Sequence, residues 1–226
     1  MSRVKLIQQS DLSDENKEFF DMVPTLLGRV PNFYKTLSHS PYLAMALLPI
    51  NSAAQREWSG TDISGRIKEL IVIKTSHTNA CKYCYAHNTA LGQAAGIEED
   101  HIKALSLNDF SDPNLFTREE VLAIKWAESV TNNSANSNDK LFADLKEVFT
   151  EKQIVEMTIL AAMFNMLNRI NDSLDVDLEE QVEINKIKKS LHLKTDAYGN
   201  YLEWFTKFWK SNISCLLYTS PSPRDS

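Results

Sequence analysis

Residues 66–87 read Arg66-Ile-Lys-Glu-Leu-Ile-Val-Ile-Lys-Thr-Ser-His-Thr-Asn-Ala-Cys-Lys-Tyr-Cys-Tyr-Ala-His87. Ile67, Leu70, Ile71, Val72 and Ile73 are too densely set for the single apolar stripe of a surface helix. They predict a buried central helix from Gly65 to about His77, opened by Ser64 as N-cap. Thr78-Asn79 interrupts it. A second helix is expected from about Ala80 to Ala95, ending at Gly96, a residue suited to the left-handed position after a helix.

Outward from this pair the chain keeps a helical texture. Ser13 to Leu27 reads as a helix with Ser13 as N-cap and Pro24 limiting its regular part. Pro41 opens a helix expected over Tyr42 to Trp58, with a kink at Pro49. Glu98 to Leu107 is a short helix, and Asn108 to Phe116 is a loop. Thr117-x-x-Glu120 and Thr150-x-x-Gln153 are capping boxes. The first opens a helix to about Thr131. The second opens a long apolar one over Ile154 to about Leu174. Between them lie the polar linker Asn132–Asn138 and a helix over Lys140 to Phe149. Tyr198 to about Trp209 is aromatic and amphipathic. No convincing alternating strand is found, so the fold class is all-α and multihelical.

Composition narrows the function. The 226 residues carry a net charge of −6, and only 6 are glycine. Average usage would be about 7% glycine, so a turn-rich β fold is disfavoured. No glycine-rich phosphate cradle occurs. The acidic balance argues against a nucleic-acid partner. No run of about 18 apolar residues suggests a membrane span. The first twenty residues have no apolar signal core, so the cytoplasm is the expected compartment. The last twelve residues, Cys215 to Ser226, differ in texture from everything before them, and CLLYTSPSPRD resembles a translated sequencing adapter. The expectation is one helical domain over 1–214, truncated at its natural C-terminus, followed by a non-native 215–226.

An internal repeat is suggested at an offset of 87. Ile67-Lys-Glu-Leu-Ile-Val-Ile lies over Ile154-Val-Glu-Met-Thr-Ile-Leu, and Glu69 falls on Glu156. Asn168 and Asn171 stand where the first copy has Cys81 and Cys84.

Glu69, Cys81, Tyr83, Cys84 and His87 carry the chemistry. Cys81-Lys-Tyr-Cys84 at a helix N-terminus places two sulfurs within bridging reach. Free amides there, the dipole and Lys82 favour a thiolate. In a reducing compartment such a pair points to redox work or metal binding. His87 shares a helix face with Cys84 and can take a thiol proton. Glu69, a carboxylate among apolar neighbours, needs a partner, and His87 or a water would serve. Zinc held by His77, Cys81, Cys84 and His87 is the metal alternative, disfavoured because the four crowd into eleven residues. The helix dipole favours Cys81 as the attacking sulfur, whereas the neighbouring histidine favours Cys84.

With Val30-Pro-Asn-Phe, Arg66-x-x-Glu69-Leu, Asn79-x-Cys81-x-Tyr83-Cys84-x-x-His87 and Asn168-Arg169-Ile, the chain resembles the carboxymuconolactone decarboxylase / alkylhydroperoxidase AhpD-like family, in its peroxidase-related branch, over about residues 20–180. The best-studied alkylhydroperoxidases place the histidine one position later, where this chain has Asn88. The resemblance implies an all-α fold built from a duplicated motif, an oligomeric state, and a thiol peroxidase needing no cofactor or metal. Its partners would be a hydroperoxide substrate and an external dithiol reductant, lipoyl or thioredoxin-like. Glu69 and His87 would relay a proton from Cys84, the attacking sulfur, and Cys81 would close the disulfide. Lactone-decarboxylating members lack the cysteine pair. The alternatives are a disulfide relay acting on a partner protein, a decarboxylase-like enzyme, or a zinc-stabilised helical module without activity.

Overall fold

The computed structural model describes residues 2–216. Among them run eleven α-helices: α1 Asp14–Leu27, α2 Asn32–Leu37, α3 Pro41–Gln55, α4 Gly65–Thr78, α5 Lys82–Ala94, α6 Glu99–Leu107, α7 Arg118–Thr131, α8 Asp139–Val148, α9 Glu151–Leu174, α10 Gln181–Ile184 and α11 Thr195–Leu216. The described residues form no strand; an isolated parallel bridge joins Glu57 and His192. The all-α reading of the sequence therefore stands. The side chain of Cys215 and residues 217–226, most of the segment read as adapter, lie outside the described residues.

The dense apolar run of α4 has the predicted consequence. Leu70, Ile71, Val72 and Ile73 are fully buried, and the helix packs against α5, α7 and α9. Ile71 and Val72 join the main core with Phe19, Leu48, Met157 and Leu160. Leu70 and Ile73 enter a second cluster with Ile97, Leu105 and Ile124. A helix apolar on opposite sides must be enclosed on both, and each such side chain contributes about 1.5–3 kcal/mol of transfer free energy.

The break after α4 is built with care. Asn79 ends the helix, and Ala80 adopts φ 55°, a left-handed conformation unusual for a residue with a Cβ. Asn79 is clamped from α9: its amide nitrogen donates to Asn165 Oδ1 at 2.8 Å, and Arg169 donates to its oxygen at 2.8 Å. The chain then restarts with Cys81 as the N-cap of α5. In the proposed second copy of the repeat no break occurs, and α9 runs on for 24 residues.

Other boundaries differ in instructive ways. Both capping boxes form, whereas Ser13 occupies an N-cap position without a side-chain capping bond. α3 stops at Gln55, short of Trp58, because Arg56 turns extended. α11 exceeds the expected Tyr198–Trp209. Its inner face is anchored by the buried Tyr201, whose hydroxyl donates to Met45 O at 2.7 Å, and by Trp204, which donates to Glu18 at 2.7 Å. α10 and the 3-10 turns over Asn185–Ser190 were not anticipated; there Ile184 and Ile187 cover Ala90 and Leu91 of α5.

The Ala80 conformation generates a test. Glycine removes the Cβ penalty of the left-handed region, so Ala80→Gly is expected to raise stability by about 0.5–1 kcal/mol in urea unfolding. A destabilised variant would mean that the break is held by something other than this backbone geometry.

Candidate active site

Because Cys81 caps α5, its sulfur sits over the free amides of the first turn and accepts from the Cys84 amide at 3.3 Å. Both cysteines are free thiols and both are buried. Cys84, one turn on, accepts from Asn171 Nδ2 at 3.5 Å. Asn171 is the residue that the repeat alignment sets opposite Cys84. Burial pushes the Cys84 thiol well above its ordinary range, and the neighbouring Cys81 adds to this. The Asn171 bond only partly offsets that tendency.

Cys84 lines a cavity of about 80 Å³ together with Arg29, Gln55, Arg56, Tyr83 and His87. Cys81 lies behind it, facing a separate depression formed with Ser76, His77, Lys82 and Tyr85. Of the two sulfurs, only that of Cys84 therefore borders the inner cavity.

His87 is held from two sides. Its Nδ1 lies 2.8 Å from the Tyr83 carbonyl, and its Nε2 lies 2.9 Å from Glu179 Oε2. The second contact has ion-pair distance but poor hydrogen-bond direction, since both atoms lack a well-aligned partner. A carbonyl and a carboxylate can only accept, so both neighbours of the ring are acceptors. The Tyr83 ring lies against the imidazole, with centroids 4.3 Å apart.

Glu179 follows α9 in the loop before α10, and its side chain is 8% exposed. Its Oε1 accepts from the Asn32 amide at 2.6 Å, from Tyr83 Oη at 3.0 Å and from Arg29 Nη1 at 3.1 Å. Burial opposes its ionisation. The contact with His87, that residue's charge, the Asn32 amide and Arg29 outweigh burial and hold the carboxyl at about 2.

Glu69 stands on the other side and does not touch His87. Its two oxygens accept from Gln55 Nε2 at 3.2 and 3.3 Å. The same Gln55 nitrogen lies 3.2 Å from Asn88 Oδ1, and Asn88 donates onward to Ser76 at 3.0 Å. Full burial pushes Glu69 up to about 8, against the opposing pull of Arg56, the Gln55 bond and Lys68.

The structure thus brings Cys81, Cys84, Tyr83 and His87 together and sets Glu69 apart behind Gln55. The expected Glu69–His87 contact is absent because position 88, which faces Gln55 and Glu69, is an asparagine. His87 turns one position away and takes Glu179. Among the described residues no group of three or more His, Cys, Asp or Glu is disposed to hold a metal ion, so the His77, Cys81, Cys84, His87 set does not converge. Sequence reasoning missed Glu179, Arg29, Gln55 and Arg56. Glu179 sits in the acidic stretch Asp175-Val-Asp-Leu-Glu179, and no motif there marks it.

The helical topology is that of the AhpD-like all-α fold. No family model matches the chain. It is 22% identical, with a TM-score of 0.68, to an uncharacterised peroxidase-related protein of Ralstonia eutropha JMP134 with an alkylhydroperoxidase AhpD core; the match covers 81% of this chain and 94% of that one. It is likewise 20% identical, at a TM-score of 0.66, to the debrominase Bmp8 solved in complex with 2,3,4-tribromopyrrole, over 91% of this chain and 100% of that one. In sequence it is 27% identical over 112 residues to the uncharacterised protein YdfG of Bacillus subtilis strain 168, covering 49% of this chain and 75% of that one. No helix among the described residues is long and apolar enough to cross a membrane.

The Glu69 environment has a measurable consequence. The unfolded chain releases this proton near 4.5 and the folded protein only near 8. Between those values the native state binds the extra proton, so stability falls as pH rises through that window. Glu69→Gln is expected to remove this contribution, on the order of a few kcal/mol. Chemical unfolding across pH 4.5–8 should give a flatter curve for the variant than for wild type. Parallel curves would place the Glu69 proton elsewhere.

Proposed function

We propose that the protein is a thiol-dependent peroxidase that reduces hydroperoxides through Cys84 and Cys81. The observation that carries this reading is the placement of two free cysteines one helical turn apart, with only Cys84 on the cavity that His87 also lines. His87 takes the Cys84 proton and later returns it to the leaving oxygen, and the thiolate attacks the terminal oxygen of the hydroperoxide. A sulfur–oxygen bond forms, the oxygen–oxygen bond breaks, and the alcohol leaves with a proton. Cys81 then attacks the Cys84 sulfenic acid, forming the disulfide and releasing water. An external dithiol, lipoyl or thioredoxin-like, exchanges with that disulfide and restores both thiols. Glu179 is the positioning residue that orients His87. Glu69 reaches the cavity through Gln55 and, with its raised pKa, suits proton storage near neutrality. The exposed Val155, Ile159 and Met166 on α9 support the homo-oligomer expected from the sequence.

The likeness to Bmp8 over nearly the whole chain favours a second reading, in which the same thiols remove bromine from a small aromatic ring. Release of bromide from tribromopyrrole, with no hydroperoxide consumption, would select it.

Two predictions test the peroxidase cycle. Cys84→Ser is expected to lose turnover with any hydroperoxide and dithiol, whereas Cys81→Ser should accumulate a sulfenic acid at Cys84 that dimedone traps. Trapping at Cys81 in the Cys84→Ser protein, with peroxide consumption intact, would exchange the roles. Glu179→Gln is expected to lower kcat/KM about a hundred-fold, the scale of one acid–base contribution, and to alter the pH profile. His87→Asn should reproduce both effects. A Glu179→Gln protein with an unchanged pH profile would reduce Glu179 to a structural role.

A further inference from the structure

The cavity beside Cys84 holds more positive charge than the peroxidase chemistry uses. Arg29 and Arg56 both line it and are 8% and 2% exposed. Arg29 spends one nitrogen on Glu179. Arg56 spends one on Gln55 Oε1, at 2.6 Å. The Nε of each is buried without a partner. A buried guanidinium donor left unpaired is costly and calls for an acceptor. Among the described residues no Asp or Glu lines this cavity. Glu179 lies behind its wall and already serves both Arg29 and His87. Among the described residues no carboxylate lies within ion-pair distance of Arg56; the buried Glu69 attracts its charge from beyond that distance, and the charge of Arg29 opposes it. Phe33, Phe164, Leu167 and Ile187 give the wall an apolar side, and Asn51 and Asn171 also line it.

We propose that Arg56, with Arg29, forms an anion subsite, and that the substrate class is a small hydroperoxide whose short apolar body carries a carboxylate. The carboxylate takes the unpaired guanidinium donors, a geometry to which arginine is suited. The apolar body lies on the Phe33 and Phe164 side, and the hydroperoxide meets Cys84. This rests on the peroxidase reading for the identity of the reacting group, but the anion subsite is testable without it.

Iodoacetate and iodoacetamide differ only in a carboxylate against an amide, and both alkylate a thiol. The rate ratio at Cys84, read by mass spectrometry on the reduced full-length protein, is compared with the ratio in the same protein unfolded in urea. The folded protein is expected to favour iodoacetate about ten-fold more than the unfolded one, the scale of a charged hydrogen bond. Acetate should slow both reagents. Arg56→Gln should return the ratio to the unfolded value and abolish the acetate effect, while Arg56→Lys should keep part of the preference. If Arg56→Gln fails to fold, the acetate protection of wild type and the Arg56→Lys ratio decide the matter. A folded ratio no higher than the unfolded one, or a Cys84 that neither reagent reaches, overturns the subsite. In a parallel arm, tert-butyl hydroperoxide is compared with 3-hydroperoxy-3-methylbutanoate, its carboxylate-bearing relative. A high iodoacetate ratio with neither hydroperoxide consumed would sink the peroxidase reading and leave the anion subsite standing. Equal consumption of both with a flat ratio would do the reverse.

Discussion

A single buried carboxylate organises the site. Glu179 accepts from a helix-start amide, a tyrosine and an arginine through one oxygen and faces His87 with the other. Taking such a charge out of water costs several kcal/mol unless its oxygens are well served. Here each donor comes from a different part of the chain: the segment after α1, the start of α2, and α5. The loop after α9 is thereby tied to the N-terminal region and to the helix that carries the cysteines. The same contacts fix which way the His87 ring points.

Two carboxylates flank the cavity with opposite electrical character. Glu179, surrounded by donors, stays ionised down to about 2. Glu69, enclosed with an amide as its hydrogen-bond donor, holds its proton up to about 8. Environments that push two similar groups apart are the usual way a fold separates a charge-holding role from a proton-exchanging one. Between them lies Cys84, itself pushed up by burial. In the proposed cycle its activation falls to His87 rather than to solvent. The α5 dipole acts most directly on Cys81, which caps the helix, whereas Cys84 borders the cavity.

Much of this was legible in the sequence, for identifiable reasons. The α4 run was readable because a helix enclosed on all sides needs apolar residues on all sides. The capping boxes at Thr117 and Thr150 were readable because their bonds are local. The shared face of Cys84 and His87 follows from helical spacing alone. The Glu69–His87 relay did not follow, because a one-position change at Asn88 redirects the histidine to a carboxylate 92 residues away in sequence. Glu179, Arg29 and Arg56 converge only through tertiary packing, and no local pattern marks a residue whose partners are that distant. Asn171 is intermediate: the repeat offset singled it out, yet only the fold brings it to Cys84.

The central claim is that the two buried cysteines form one redox centre. The most direct measurement adds one equivalent of hydroperoxide to the reduced protein, quenches in acid and denaturant, and maps thiols and disulfides. The account predicts the loss of two thiols per peroxide and a Cys81–Cys84 disulfide, reversed by a dithiol. Both thiols remaining free while peroxide persists, or Cys84 passing to sulfinic acid with Cys81 untouched, would contradict it.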